Sequence, residues 1–264
     1  MGGSRGEPRG EPTVVVLPDA DAVARASAER IAAALEETLA ARGRAHWATT
    51  GGSTPGPIYR RLVESPLRDR VRWEDVHLWW GDDRFVPPDD PLSNTALARS
   101  ELLPAVPIDP SHVHAVPTGP SIAAGETADE CAARYRDELR AAGLPEADGL
   151  PAFDVVILGV GPDGHLLSVF PGSAAFDSPD WVQGIPAPTH VEPHVPRVTL
   201  HPRILDVART LLTISHGAAK AEILGSVFGE ERDERRWPAQ VARRAGATWI
   251  LDEAAAARLP ASGR

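Results

Sequence analysis

The chain has 264 residues, with 27 Lys plus Arg against 37 Asp plus Glu and a formal net charge of −10. That balance argues against a nucleic-acid partner, because such binding is dominated by neutralising phosphates, and no apolar run approaches the ~18 residues of a membrane span. One cysteine, Cys131, allows neither an intramolecular disulfide nor a multi-cysteine zinc site.

The basic residues are lopsided: 26 are arginine and one, Lys220, is lysine. Ala221 follows it, so there is no Walker A Gly-Lys-Ser/Thr, and a lysine Schiff base would have Lys220 alone to use. Hydrophobic content of 42% and charged content of 24% are those of an ordinary soluble globular protein, and a reducing cytoplasm is the expected compartment.

Residues 1–12 are mostly Gly, Arg, Glu and Pro without an apolar stretch, and are expected to be a disordered tail rather than a signal peptide. Thr13–Leu17 reads as a strand. Asp19–Ala41 reads as a helix, with Ile31, Leu35 and Leu39 four apart and Gly43 as its stop. His46–Thr50 is the next strand, running into Gly51-Gly52-Ser53-Thr54-Pro55. Pro55 suits a first helical turn and Ser53 or Thr54 its N-cap, which predicts a helix over Pro55–Val63.

Val76–Trp80 is a strand that ends in Gly81-Asp82-Asp83-Arg84. A Pro-rich loop, Val86–Pro91, leads to a helix near Asn94–Leu102. Ser111–Val116 is expected to be a strand and Ala123–Ala142 one long helix. Phe153–Leu158 is an apolar strand followed by the loop Gly159–Gly164. Pro186–Pro196 reads as irregular, and Arg197–Leu200 opens the next element. Thr210–Ser215 is a strand, Ala218–Val227 a helix and Ala247–Leu251 a last strand.

Strands and helices alternate from end to end. The fold class is therefore α/β, a mostly parallel sheet with helices on both faces. There is no internal repeat or central linker, so residues 13–259 are expected to be a single catalytic domain, with residues 260–264 as a C-terminal tail. Nothing in the sequence sets an oligomeric state, and a monomer is the working expectation.

Ligands of open α/β sheets sit beyond the carboxyl ends of the strands, so the loops after strands carry the chemistry. Gly51, Gly52, Ser53 and Thr54 precede a helix whose free N–H groups favour an anion; a tight strand-to-helix turn is the plainer alternative. Gly159, Gly161 and Gly164 make a formal G-x-G-x-x-G. A dinucleotide fingerprint should open a long helix, however, and Pro171-Gly172 cuts this segment to little more than one turn.

What the segment supplies is an Asp-x-His pair. His165 can titrate near neutral pH and act as a general base. Asp163 could orient it, although residues two apart do not face each other on a helix. Arg84, Arg197 and Lys220 form a basic set placed at strand or helix ends. His112-x-His114 and His190-x3-His194 have ligand-like spacings, but no cysteine or matched carboxylates accompany them and Pro193 interrupts the second pair. Neither a metal nor a cofactor is expected.

Five segments occur in order: Thr50-Gly51-Gly52-Ser53-Thr54-Pro55, Gly81-Asp82-Asp83-Arg84-Phe85-Val86-Pro87, Gly159-x-Gly161-Pro162-Asp163-Gly164-His165-x-x-Ser168-x-Phe170-Pro171-Gly172, Arg197-Val198-Thr199-Leu200 and Gly217-x-x-Lys220-Ala221. Together they resemble the 6-phosphogluconolactonases, over roughly Thr13 to Leu251. The resemblance implies a Rossmann-like parallel sheet shared with glucosamine-6-phosphate deaminases and ribose-5-phosphate isomerases. It also implies hydrolysis of 6-phospho-D-glucono-1,5-lactone, in the oxidative pentose phosphate pathway, without metal or cofactor.

Carried over by position, His165 is the general base and Asp163 its partner. Gly51–Thr54, Arg84, Arg197 and Lys220 hold the sugar phosphate or the developing oxyanion. The sequence departs from the family pattern at Asp83, where Glu is usual, at Leu166-Leu167, where Thr-Ala is usual, and at His201, where Thr is common. Two alternatives stay open, a deaminase and a non-catalytic sugar-phosphate-binding module. Against the first, the deaminase loop carries an Asn-Glu pair where this chain has Ser168-Val169-Phe170-Pro171-Gly172.

Overall fold

The computed structural model describes residues 10–260. Residues 1–9 and 261–264, which hold most of the two expected tails, lie outside the described residues.

In chain order the strands are β1 (Thr13–Leu17), β2 (Ala45–Thr49), β3 (Val76–Trp80), β4 (Asp82–Arg84), β5 (Val113–His114), β6 (Glu146–Ala147), β7 (Leu150–Pro151), β8 (Val155–Leu158), β9 (Val182–Ile185), β10 (Arg197–Leu200), β11 (Thr210–Ser215) and β12 (Ala247–Asp252). The helices are α1 (Ala20–Arg42), α2 (Pro55–Leu62), α3 (Leu67–Arg70), α4 (Thr95–Leu97), α5 (Thr118–Ala123), α6 (Ala128–Ala141) and α7 (Ala221–Val227). Seven strands form one parallel sheet in the order β1-β12-β11-β8-β2-β3-β5.

Every residue of β2 and β8 is buried. Alternate side chains of a strand point to opposite faces, so both faces of the sheet centre are covered. This is the α/β architecture that the alternating pattern predicts. The core is unusually rich in indole: Trp47, Trp73, Trp79, Trp80 and Trp249 are all fully buried.

Local signals explain most boundaries. The Asp19 carboxylate accepts the Ala22 N–H at 2.8 Å to open α1, and Gly43, at φ 77°, closes it. The long helix expected over 123–142 starts late: Ala123 closes the separate short helix α5, and only Ala128–Ala141 forms α6. Gly125 takes φ 71°, and Thr127 and Glu130 form a capping box that starts α6 afresh. Around Asn94–Leu102 the expected helix is one α turn followed by a five-residue π-helical turn, Ala98–Leu102. The strand expected at Ser111–Val116 shrinks to Val113–His114, because Asp109 and Pro110 first wind a 3-10 turn.

The Gly-rich loop after β8 opens no helix at all. Leu166 and Val169 bridge each other across a tight turn, with Leu167 at φ 54°. A second small sheet, β4-β10-β9, is antiparallel and lacks an obvious sequence signature.

The order of connections fixes where a ligand can sit. The chain leaves β2 toward β3 on one side, and leaves β8 toward β11 on the other, while β2 and β8 are neighbours. Loops that diverge from adjacent strands leave a crevice between them, the topological switch point of an open α/β sheet.

Candidate active site

At that crevice lies a cavity of about 460 Å³, walled by the loops after β2 and β8, the small sheet and the end of β11. Gly51, Gly52, Ser53, Thr54, Arg84, His165, Arg197 and Lys220 all line it. Eight of the nine residues expected from sequence thus converge on one space, and the ninth, Asp163, stands behind His165.

The loop after β8 is folded around its histidine. The Gly161 N–H donates to the His165 carbonyl at 2.8 Å and the Gly164 N–H to the Gly161 carbonyl at 3.1 Å, with Gly164 at φ 85°. In this turn, unlike a helix, residues two apart do meet. Asp163 Oδ1 accepts the His165 backbone N–H at 3.1 Å and pairs with the ring Nδ1 at 2.5 Å. Asp163 Oδ2 pairs with Nε2 of His190 at 2.9 Å.

Burial works against the Asp163 charge, but the hydrogen bond and charge of His165, aided by His190, outweigh it. The carboxyl is held well below the usual carboxylate range. With Nδ1 on the carboxylate, Nε2 is the His165 nitrogen left for another partner.

The cations are set by the small sheet. Arg197 on β10 lies directly opposite Arg84 on β4 in the antiparallel register. Like charges facing each other across a ladder are unfavourable on their own. Burial, and next the Arg84 charge, push the Arg197 guanidinium pKa down. Both arginines donate to carbonyl oxygens, Arg84 Nη1 to Leu92 at 2.7 Å and Arg197 Nη2 to Pro193 at 2.9 Å.

Lys220 stands just before α7, and its Nζ donates to the Val160 carbonyl at 2.7 Å. Burial lowers its pKa, against a raising effect of Asp163. Among the described residues none of these three cations has a carboxylate within 4.0 Å, whereas Arg70, Arg134, Arg235 and Arg243 elsewhere are all ion-paired. Three cations around one cavity, with no carboxylate within 4.0 Å of them among the described residues, give it a positive field that suits an anion.

The surrounding structure accounts for the departures from the family pattern. Asp83 is buried and acts as a fastener. It accepts the backbone N–H groups of Asn94 and Arg84 and the hydroxyl of Ser93, while burial pushes its pKa up to about 6. Asp82 accepts the Ser168 hydroxyl at 2.6 Å, tying β4 to the loop that holds His165. Leu167 fills the space above Gly81, where a Cβ would meet its Cδ2 at 2.6 Å. His201 caps the 3-10 turn Pro202–Val207 by accepting the Arg203 N–H, a task that a threonine hydroxyl can also perform.

Thr54 sits at the N-cap position of α2 but makes no side-chain cap bond, leaving its hydroxyl to the cavity. Asn94 Oδ1 and Ser215 Oγ, both on the cavity wall and buried, have no hydrogen-bond partner among the described residues.

Two of these features escape sequence reasoning. Asn94 falls in a stretch read only as a helix start. His190 was noticed only for its spacing to His194, and no local pattern links it to Asp163 27 residues earlier. The other histidines of metal-like spacing, His112 and His114, lie at the far edge of the sheet, stacked with His77.

A model of the family described as glucosamine-6-phosphate isomerases/6-phosphogluconolactonase matches residues 18–250. The 6-phosphogluconolactonase of Streptomyces coelicolor is 36% identical over 259 residues, covering 95% of this chain and 96% of that protein. That of Nostoc sp. is 33% identical over 251 residues, covering 94% and 98%. Among solved structures, 6-phosphogluconolactonase from Trypanosoma cruzi superposes with a TM-score of 0.82 at 27% identity, covering 97% of this chain and 99% of that one. Fold, cavity and relatives agree: the chain belongs to the glucosamine-6-phosphate isomerase/6-phosphogluconolactonase family.

Proposed function

We propose that the chain hydrolyses 6-phospho-D-glucono-1,5-lactone to 6-phospho-D-gluconate, with His165 as general base. The observation that carries this reading is the His165–Asp163 pair on one wall of a cavity that also presents Arg84, Arg197 and Lys220. The substrate has one permanent anion and one carbonyl that becomes anionic, and the cavity offers cations and a base to match.

Phosphate held by the cations and the Gly51–Thr54 loop places the lactone carbonyl beside His165, so remote binding energy orients the reacting carbon. Neutral His165 takes a proton through Nε2 from a water attacking C1. Asp163, ionised throughout, steadies the imidazolium that forms. The tetrahedral oxyanion is met by backbone N–H groups or a guanidinium, each donor being worth about 3 kcal/mol. The imidazolium then protonates the leaving ring oxygen, and the histidine returns to its starting state. A lactone is a reactive ester, so no covalent nucleophile is required.

A deaminase would need a carboxylate where Phe170 packs its ring against His165 at 4.7 Å. Freshly generated lactone, assayed by coupling to a 6-phosphogluconate dehydrogenase, is expected to disappear faster than its spontaneous rate, with no ammonia released from glucosamine 6-phosphate. Ammonia release, or binding of the lactone without acceleration, would overturn the proposal.

A further inference from the structure

Asp163 is gripped from two sides. Oδ1 faces His165, from its own loop, and Oδ2 faces His190, from the irregular segment 186–196, whose His190, Val191 and Glu192 line the cavity. We infer that His190 is a positioning residue for the His165–Asp163 pair, donating its Nε2–H to the carboxylate oxygen that His165 leaves unused. The inference rests on the reading of that pair as the acid–base couple.

The physical need is plain. A carboxylate bound through one oxygen can still turn about its terminal torsion, which has only a broad two-fold preference. A second bond, from a different segment of the chain, removes that freedom. Phe170 holds both imidazoles, lying 4.7 Å from the His165 ring and 5.7 Å from that of His190, edge-on to the latter.

The segment 186–196 is itself tied down. His194 Nδ1 donates to the Pro188 carbonyl at 2.7 Å, and Arg197 donates to the carbonyls of Pro193 and Val195. The chain therefore links a cavity cation, Arg197, to the catalytic carboxylate through the segment that carries His190. Each donor to Asp163 draws electron density from the bond to His165, so losing one makes the carboxylate a stronger partner for the imidazolium.

The test titrates the His165 imidazole by NMR in the substrate-free protein and compares wild type with His190→Ala and His190→Gln. His190→Ala is expected to raise the His165 midpoint by about half a pH unit or more, and to move the acid limb of the kcat/KM profile the same way. It should lower kcat about tenfold, with KM within about twofold. His190→Gln, whose amide can still donate to Oδ2, is expected to restore most of both.

Asp82, Arg84, Glu192, His194, Arg197, His216 and Lys220, which line or border the cavity, are common to all three proteins, so their fields cancel in the comparison. An unmoved His165 midpoint in His190→Ala would overturn the inference, as would a raised KM without a change in midpoint or kcat. Because the titration is read without substrate, a shifted midpoint in a protein that does not turn over the lactone would preserve the positioning role while refuting the activity.

Discussion

Gly161 and His165 occupy adjoining space so closely that a Cβ on Gly161 would lie 2.0 Å from His165 Nδ1. The second glycine of the G-x-G-x-x-G run is thus there to admit an imidazole, not a pyrophosphate. Gly161→Ala should drive the ring off Asp163 and lower kcat by at least about 100-fold, since misplacement on the ångström scale is that costly. The loop is at the cavity wall, so the melting temperature should change little. Steady-state kinetics beside thermal unfolding followed by circular dichroism would check both.

Arg84 and Arg197 face each other without a carboxylate between them, and the anion of the substrate is their expected counter-charge. Each charge-assisted bond to it is worth about 1.5–3 kcal/mol. Arg84→Ala and Arg197→Ala should each raise KM about 10- to 100-fold. Arg197→Lys should fail to restore binding, because an ammonium cannot reproduce a planar fork that also holds the Pro193 and Val195 carbonyls. Initial-rate kinetics of the three variants decide the matter.

Lys220, alone of its type in the chain, is a compact charge seated on the Val160 carbonyl in a half-buried position. Lys220→Arg conserves charge but puts a wider, planar group into that seat. A marked rise in KM is expected. Normal kinetics would mean that the single lysine reflects coding bias rather than fit.

A separate prediction concerns acid stability. His46, a buried residue of β2 beside His77 of β3, accepts the Trp79 indole N–H at 3.2 Å and stacks on His77. Burial, then the neighbouring His77, pulls the His46 pKa down to about 3. Burial, with His112 and His114, pulls half-buried His77 down to about 4.

Below pH 6.5 the unfolded chain takes up protons that these folded histidines refuse, so their stabilisation is present above that pH and drains as pH falls. Asp83 acts oppositely. Its raised pKa makes the folded state bind the extra proton between about 6 and the unfolded carboxylate value, offsetting roughly one histidine. The net loss should be on the order of 1 kcal/mol per pH unit between pH 6 and 4, with the solvent-screened His77 contributing less than His46. Urea unfolding at pH 7, 6 and 5 would measure it, and His46→Gln should flatten the slope.

Much of the fold is legible in the sequence alone. Strand–helix alternation announced the parallel sheet, because a period of two and a period of 3.6 leave different marks. The Gly51–Thr54 loop, Asp163, His165, Arg84, Arg197 and Lys220 can be nominated from sequence because each follows or precedes an element end, where such folds gather ligands; folding brings them to or beside one cavity. What sequence could not reveal depends on distance along the chain. The three-stranded sheet joins Asp82–Arg84 to residues about a hundred positions later, and the opposition of Arg84 and Arg197 exists only through that pairing. His190 lies in a segment without periodicity, so only folding brings it to Asp163. Helix breaks at Gly125 and Thr127 carried a readable capping box, but the apolar spacing on either side concealed it.

The central claim is that His165 removes the proton from the attacking water. Turnover of freshly generated 6-phosphogluconolactone by wild type and by His165→Ala, at neutral pH, tests it most directly. The account predicts a loss of about 10²–10⁴-fold in kcat with KM little changed. A His165→Ala protein that turns over the lactone within a few-fold of wild type would contradict it.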